Sequence, residues 1–113
     1  MLPAVNRMRR SSDFASVVRT GARSRSGALV VHQSLDLGGS APLIGFVVGK
    51  GVGGSVQRHR VTRRLRAQVA RRLDLLPVGS GTVVRALPSA AVLSSGELGS
   101  GLDKALARLA GRP

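Results

Sequence analysis

Apolar positions change their spacing along this chain, and each change predicts a different element. Phe14, Val17 and Val18 stand at helical spacing behind Ser11 and Ser12, either of which can cap a helix, and Gly21 offers a left-handed stop. A first helix is predicted over 12–19. Between Gly21 and Gly49 β-branched runs take over, at 28–35 and 43–48, separated by the turn-forming Gly38-Gly39-Ser40-Ala41-Pro42. The simplest arrangement of those two runs is an antiparallel hairpin. A further short strand around Arg23 to Arg25 is the other option here, although no apolar residue alternates with its polar ones. Past the glycines at 49–54, Val61, Leu65, Val69 and Leu73 form a row spaced by four, one face of a helix. Ser55 is its natural N-cap, and Leu76-Pro77 should end it. Thr82 to Ala86 predicts a strand closed by Pro88. Ser94 with Glu97 fits a capping box for a last helix whose Leu98, Leu102, Leu106 and Leu109 share a face. Gly99 and Gly101 each weaken that helix by about 1 kcal/mol relative to alanine, so packing must hold it.

Composition narrows the function. The 113 residues suit one domain, 1–113, and 42% of them are apolar, enough for one modest core. Eighteen arginines and lysines against five acids give a formal charge of +13, the balance of a protein whose partner is a polyanion. A basic arm at 1–10, carrying Arg7, Arg9 and Arg10, is expected on the surface. The absence of cysteine excludes disulfides, thiolate metal sites and cysteine nucleophiles. The longest mainly apolar run, 41–49, is far short of the roughly 20 residues of a membrane helix. No signal-peptide core follows the basic start, so a cytoplasmic protein with no membrane partner is expected.

Several chemistries can be weighed on individual residues. Gly49-x-Gly51-x-x-Gly54 matches the dinucleotide fingerprint formally, with Asp74 twenty residues on. That acid should end a second parallel strand, whereas Asp74 falls at the end of a helix, so no small-molecule cofactor is expected. Gly51 to Gly54 also satisfies a KH-type Gly-x-x-Gly, but a KH loop joins two helices and this one follows a strand. Lys50 lacks the serine or threonine of a phosphate loop. His32 and His59 are the only histidines and the acids are scattered singly, which leaves no triad, no carboxylate pair and no zinc set.

The arginine-rich helix stands apart. Between residues 37 and 73 there is no acid, while Lys50, Arg58, Arg60, Arg63, Arg64, Arg66, Arg71 and Arg72 crowd the interval. At about 100° per residue, Arg60, Arg63, Arg64 and Arg71 point away from the Val61 and Leu65 row. Like charges at helical spacing, and cations at the positive end of the helix dipole, leave this helix electrostatically frustrated when alone. Phosphates lying across it would relieve every one of those terms. With Phe14 and Phe46 as the only aromatics, a base-stacking platform is poorly supported, and recognition should rest on backbone charge and shape.

The stretch from Leu43-Ile44-Gly45-Phe46-Val47-Val48-Gly49-Lys50 through Arg58-His59-Arg60-Val61-Thr62-Arg63-Arg64-Leu65-Arg66 resembles the signature of the bacterial ribonuclease P protein component. In that family a strand runs into a helix reading Arg-Asn-Arg-x-Lys-Arg-x-x-Arg. The segments 6–14 and 83–88 are similar to the family's basic arm with first helix and to its last strand. The resemblance implies an α/β (α+β) two-layer sandwich with a mixed central sheet, a basic crossover helix in a left-handed βαβ unit, and flanking N- and C-terminal helices. It implies the protein subunit of a ribonucleoprotein whose catalytic RNA, with Mg2+ bound mainly by that RNA, removes the 5′ leader of precursor tRNA. No catalytic group and no metal ligand is then expected in the protein. Carried over by position, Lys50, Arg58, His59, Arg60, Arg63, Arg64 and Arg66 would contact the ribonuclease P RNA. Phe14, Val18 and His32 would line a leader cleft, with Arg7, Arg9 and Arg10 as a basic arm. The chain departs from the pattern at His59 (asparagine), Thr62 (lysine) and Gly51 (a second lysine), and Val18 and His32 give less stacking area than the usual aromatics. The competing class is a small ribosomal or general structural RNA-binding protein, which would bind unrelated RNAs equally well.

Overall fold

A computed structural model describes residues 2–111. The first helix, α1 (Ser11–Thr20), begins after Arg10 with no side-chain cap, so neither Ser11 nor Ser12 caps it. It ends at Gly21, whose φ of −77° and ψ of 162° are extended. The expected left-handed stop is therefore corrected. Glycine is required there for space, because a Cβ would lie 2.5 Å from the Val17 carbonyl oxygen and 2.7 Å from that of Gln33, both fixed backbone.

Strands β1 (Ala22–Ser26) and β2 (Leu29–Ser34) form the antiparallel hairpin of the fold, turning at Gly27 with φ 56°. The hairpin predicted between the two β-branched runs does not form. Strand β4 (Gly81–Ala86) lies between β2 and β3 (Leu43–Val47), antiparallel to the first and parallel to the second, giving the order β1-β2-β4-β3. The physical reason lies in β4, which is covered on both faces along nearly its whole length and so belongs at the sheet centre. The glycine-rich connection at 35–42 is tied down by the Gly79 carbonyl, which accepts from the N–H groups of Leu37 and Gly38 at 3.0 Å.

Helix α2 (Ser55–Ala70) crosses from β3 to β4. Gly54, not Ser55, is its N-cap, and no side chain caps it. The helix also stops earlier than Leu76-Pro77, and Leu73 sits in a separate single turn at Leu73–Leu75. The last helix, α3 (Ser95–Ala110), has the predicted capping box: the Glu97 N–H donates to Ser94 Oγ at 3.1 Å and the Ser94 N–H to Glu97 Oε1 at 3.0 Å.

The two faces of the sheet hold separate cores. Val61, Leu65 and Val69 of α2 with Leu98, Leu102 and Leu106 of α3 cover Leu29, Val31, Ile44 and Val84 on one face. On the other, Val17 of α1 covers Val83 together with Met8. Neighbouring Val83 and Val84 thus face opposite cores, as strand alternation requires. Where α3 meets α2, a Cβ on Gly99 would lie 2.6 Å from Gln68 Oε1 and 3.0 Å from Arg72 Nη2. Gly99→Leu is expected to force the helices apart and cost about 1–3 kcal/mol, read as a lowered melting midpoint by circular dichroism. An unchanged midpoint would contradict this packing.

The arm at 1–10 is not simply a surface tail. Leu2, Asn6 and Met8 are buried, the Met8 N–H donates to the Ile44 carbonyl at 2.8 Å, and Arg7 bridges Ile44 in parallel. Asn6 Nδ2 donates to the Pro42 carbonyl at 2.9 Å. Alternate arm residues therefore point inward against β3, which hydrophobic counting over so polar a stretch did not show. Met1 lies outside the described residues.

Candidate RNA interface

Helix α2 sorts its arginines by what they touch. Arg58 Nε donates to the Val48 carbonyl at 3.1 Å and Arg64 Nη1 to the Leu93 carbonyl at 2.7 Å, so both are half-buried and fasten the helix to its surroundings. Arg64 consequently departs from the outward face on which helical spacing put it. Arg72 donates to Asp103 of α3 at 2.6 Å, the single ion pair among the described residues, and to the Gln68 carbonyl at 2.8 Å. That guanidinium holds the Asp103 carboxyl below its usual range. Arg60, Arg63 and Arg66 make no such bond with described residues, and Arg60 and Arg63 are exposed, as is Lys50 in the turn before the helix.

Along this face runs an open groove of about 540 Å³ lined by Val56, His59, Thr62, Arg63 and Arg66. Thr62 stands where the related signature has a lysine, and its hydroxyl donates to the Arg58 carbonyl one turn back at 2.8 Å. His59 is exposed on the groove wall, one residue before Arg60. With no acid in the first turn and no side-chain cap, the first N–H groups of α2 are left for an external acceptor. The arrangement suits a polyanion that crosses α2 near Lys50 and follows the helix. Arg9 and Arg10 of the arm are exposed and line, with Arg7 and the acid Asp13, a second recess of about 350 Å³.

Of the residues expected in a leader cleft, Phe14 and His32 both lie on the α1 face of the sheet but over different strands, and among the described residues no cavity joins them or Val18. Phe14 lies directly over Gly45, where any Cβ would overlap its ring. Val18 is 47% exposed on the free side of α1, and His32 is 7% exposed in β2. The register places Arg23, His32, Val83 and Gly45 in one row across the strands, and Arg25, Val30, Arg85 and Val47 in the next. Arg23, Arg25 and Arg85 are exposed and were missed from sequence. The usable signal was an alternation in size and charge, Arg23-Ser24-Arg25-Ser26, in which the small serines are buried and the arginines face outward.

His32 is held below the ordinary imidazole pKa, first by burial and then by the guanidiniums of Arg23 and Arg85. Its Nδ1 is buried without a partner. Below about pH 6.5 the unfolded chain takes up a proton at this position that the folded chain resists, so stability falls as the solution is acidified. Asp103 and Glu97, whose pKa values are also lowered, titrate below that window. Denaturant midpoints at pH 7.5 and 5.5 should show the loss, and His32→Gln should remove most of it. Equal midpoints for the native chain would contradict the assignment.

Among the described residues no three of histidine, cysteine, aspartate or glutamate come together, and no helix is long and apolar enough to cross a membrane. The Gly49-x-Gly51-x-x-Gly54 segment forms a single turn at Lys50–Val52 with Val52 buried, ahead of the strand-to-helix crossover.

Comparison with known proteins bears on the fold and the family. The sequence model of the Ribonuclease P family matches residues 2–110. Ribonuclease P protein components from Beutenbergia cavernae and Acidothermus cellulolyticus are 51% and 49% identical over 110 residues, covering 96% of this chain and 92% of each relative. One from Streptomyces bikiniensis is 50% identical over 119 residues, covering 98% and 97%. The solved structure of the Staphylococcus aureus RNase P protein superposes with a TM-score of 0.80 at 19% identity, covering 91% of this chain and 94% of that one. That from Thermotoga maritima gives 0.78 at 22%, covering 90% and 96%.

Proposed function

Because the chain belongs to the bacterial ribonuclease P protein family, and so is a subunit of the tRNA-processing endoribonuclease, we propose that its α2 face docks the ribonuclease P RNA while its sheet face receives the precursor-tRNA leader. The observation that carries this reading is the set Arg60, Arg63 and Arg66 on α2, with Lys50 in the turn that precedes the helix, and no acid paired with any of them. A solvated structural face would mix signs, whereas this one gains only when phosphates arrive. Arg58 and Arg64 each use part of a five-donor guanidinium on a backbone carbonyl and keep the remaining donors for RNA. His59 adds a hydrogen-bonding ring at the same edge, and Arg7, Arg9 and Arg10 extend the positive surface toward α1.

On the other face His32 neighbours Arg23 of β1 and Arg85 of β4, with Phe14 over Gly45 and Val18 exposed on α1. With one aromatic ring there and three guanidiniums, the leader is gripped through its phosphates more than through its bases. The chain acts by binding and orienting. Magnesium belongs on the RNA, where phosphate oxygens supply hard ligands of the kind that the scattered carboxylates of the described residues do not bring together. The proposed setting is the cytoplasm, with no membrane and no small-molecule cofactor.

The test is reconstitution. Adding the protein to ribonuclease P RNA at low magnesium should raise the rate of precursor-tRNA cleavage, and unrelated structured RNAs should bind more weakly. Cleavage that stays flat across a protein titration, with equal binding to unrelated RNAs, would contradict the reading.

A further inference from the structure

At the end of the sheet remote from Lys50, apolar side chains stand in the open. Leu35 just past β2, Leu75 in the turn after α2 and Val78 ahead of β4 are 53%, 61% and 73% exposed. With Pro77 and the α3 residues Leu106 and Leu109, Leu35 and Leu75 wall a recess of about 210 Å³ that no charged group lines among the described residues. The recess along α2 and the one beside the arm are each lined by arginines. Strand register separates the two ends of the molecule. Ser34, the last residue of β2, lies opposite Gly81, the first of β4, whereas Lys50 follows the far end of β3, where Val47 pairs with Arg85. The 16 residues of α2, about 24 Å of helix, run between those ends. Leucine and valine exposed together, inside a polar rim, mark a docking surface.

Here the rim is acidic. Asp36 and Asp74 are exposed and adjoin Leu35 and Leu75 of the patch, so two of the chain's five acids stand here. Arginines nearby in sequence are engaged elsewhere. Arg72 is bonded to Asp103 of α3, a carboxylate on which Arg71 also acts, and Arg108 donates to the Arg25 carbonyl. We propose that this pole docks a basic amphipathic segment of a partner protein, with one aliphatic or aromatic anchor entering the recess and flanking lysines or arginines meeting Asp36 and Asp74. A void of about 150 Å³ takes a benzene ring, so the recess holds one such anchor. RNA is the poorer occupant, because no guanidinium or aromatic ring lines the recess to hold a phosphate or stack a base. A second copy is poorer too: an isologous contact sets the patch against itself, acids facing acids, between molecules that each carry +13. Docking here leaves the cationic face of α2 open and does not depend on what that face binds.

The deciding experiment is methyl NMR on the 113-residue chain labelled at leucine and valine. It is titrated with two helical peptides that share a leucine face and carry either lysine or glutamate opposite it. The lysine peptide is expected to shift the methyls of Leu35, Leu75, Val78 and Leu109. The glutamate peptide should leave them in place and instead move Val56, among the arginines of α2. Asp36→Lys with Asp74→Lys should weaken the lysine peptide by roughly tenfold, since two surface ion pairs give way to repulsion. Leu75→Ser, at an exposed position, should weaken it as well while the melting midpoint is retained. The glutamate peptide moving the same methyls, native affinity in the double lysine variant, or no shift from either peptide would each overturn the docking site. Patch methyls that shift with protein concentration alone, alongside a dimer in sedimentation, would assign the surface to a second copy and overturn it too.

Discussion

Replacing Arg60 and Arg63 together with alanine is expected to weaken binding to ribonuclease P RNA by roughly a hundredfold and to leave the fold in place. Each side chain is exposed on α2 and makes no bond that holds the protein together. A charge-assisted hydrogen bond to phosphate contributes about 1.5 kcal/mol or more, close to a factor of ten per arginine. Stability should move by no more than about 0.5 kcal/mol, because exposed substitutions rarely do more. The sign is expected to be slightly favourable, since the variant removes like-charge neighbours at helical spacing. Filter binding and thermal melting on the same preparations check both halves. Unchanged affinity would remove this face from the interface, and a collapsed fold would show that the arginines support structure instead. Arg64→Ala provides a contrast: its Nη1 holds the Leu93 carbonyl, so it should lose stability as well as affinity.

The second large effect lies beneath the same helix. Leu65 is fully buried in the core shared by α2, α3 and the sheet. Leu65→Ala is expected to cost about 2–5 kcal/mol, from lost transfer energy and the cavity left behind. For a domain whose total stability is of the order of 5–15 kcal/mol, that lowers the melting midpoint by at least roughly 8 °C. RNA binding should fail only in proportion to the unfolded fraction and return on cooling. A variant that melts like the native chain would contradict the placement of this row at the centre of the core. The two variants thus separate the sides of one helix, since the arginine pair loses binding while folded and the leucine loses it by unfolding.

Much of this arrangement was legible in the sequence, and the limits have definite causes. The row Val61, Leu65 and Val69, the Ser94 and Glu97 box, and the acid-free interval are local patterns, and local patterns survive folding. Strand pairing is not local. Nothing in the two β-branched runs says that β4, more than thirty residues beyond the second, will insert between them, so the hairpin was misplaced. Strand β1 was obscured because its inward residues are Ser24 and Ser26, small and polar under α3, where an apolar alternation was sought. The spacing that put Arg64 outward could not reveal that its long side chain turns back to the Leu93 carbonyl. Gly21 reads as conformational punctuation, whereas its contribution is space for the backbone of Val17 and Gln33, as Gly45 within its strand makes space for the ring of Phe14. The candidate site was accordingly clearest on α2, where charge is contiguous in sequence. It was least clear on the sheet face, where Arg23, Arg25 and Arg85 converge only through strand register.

The most direct test of the central claim, that an unpaired cationic face on α2 grips RNA through its phosphates, is the salt dependence of binding to ribonuclease P RNA. With about five phosphates engaged, log affinity should fall against log salt with a slope of roughly −3.5 to −4.5 for the native chain. The slope should become shallower by about 1 for each of Arg60 and Arg63 removed. A flat response in the native chain, or a slope unchanged in the double variant, would contradict it.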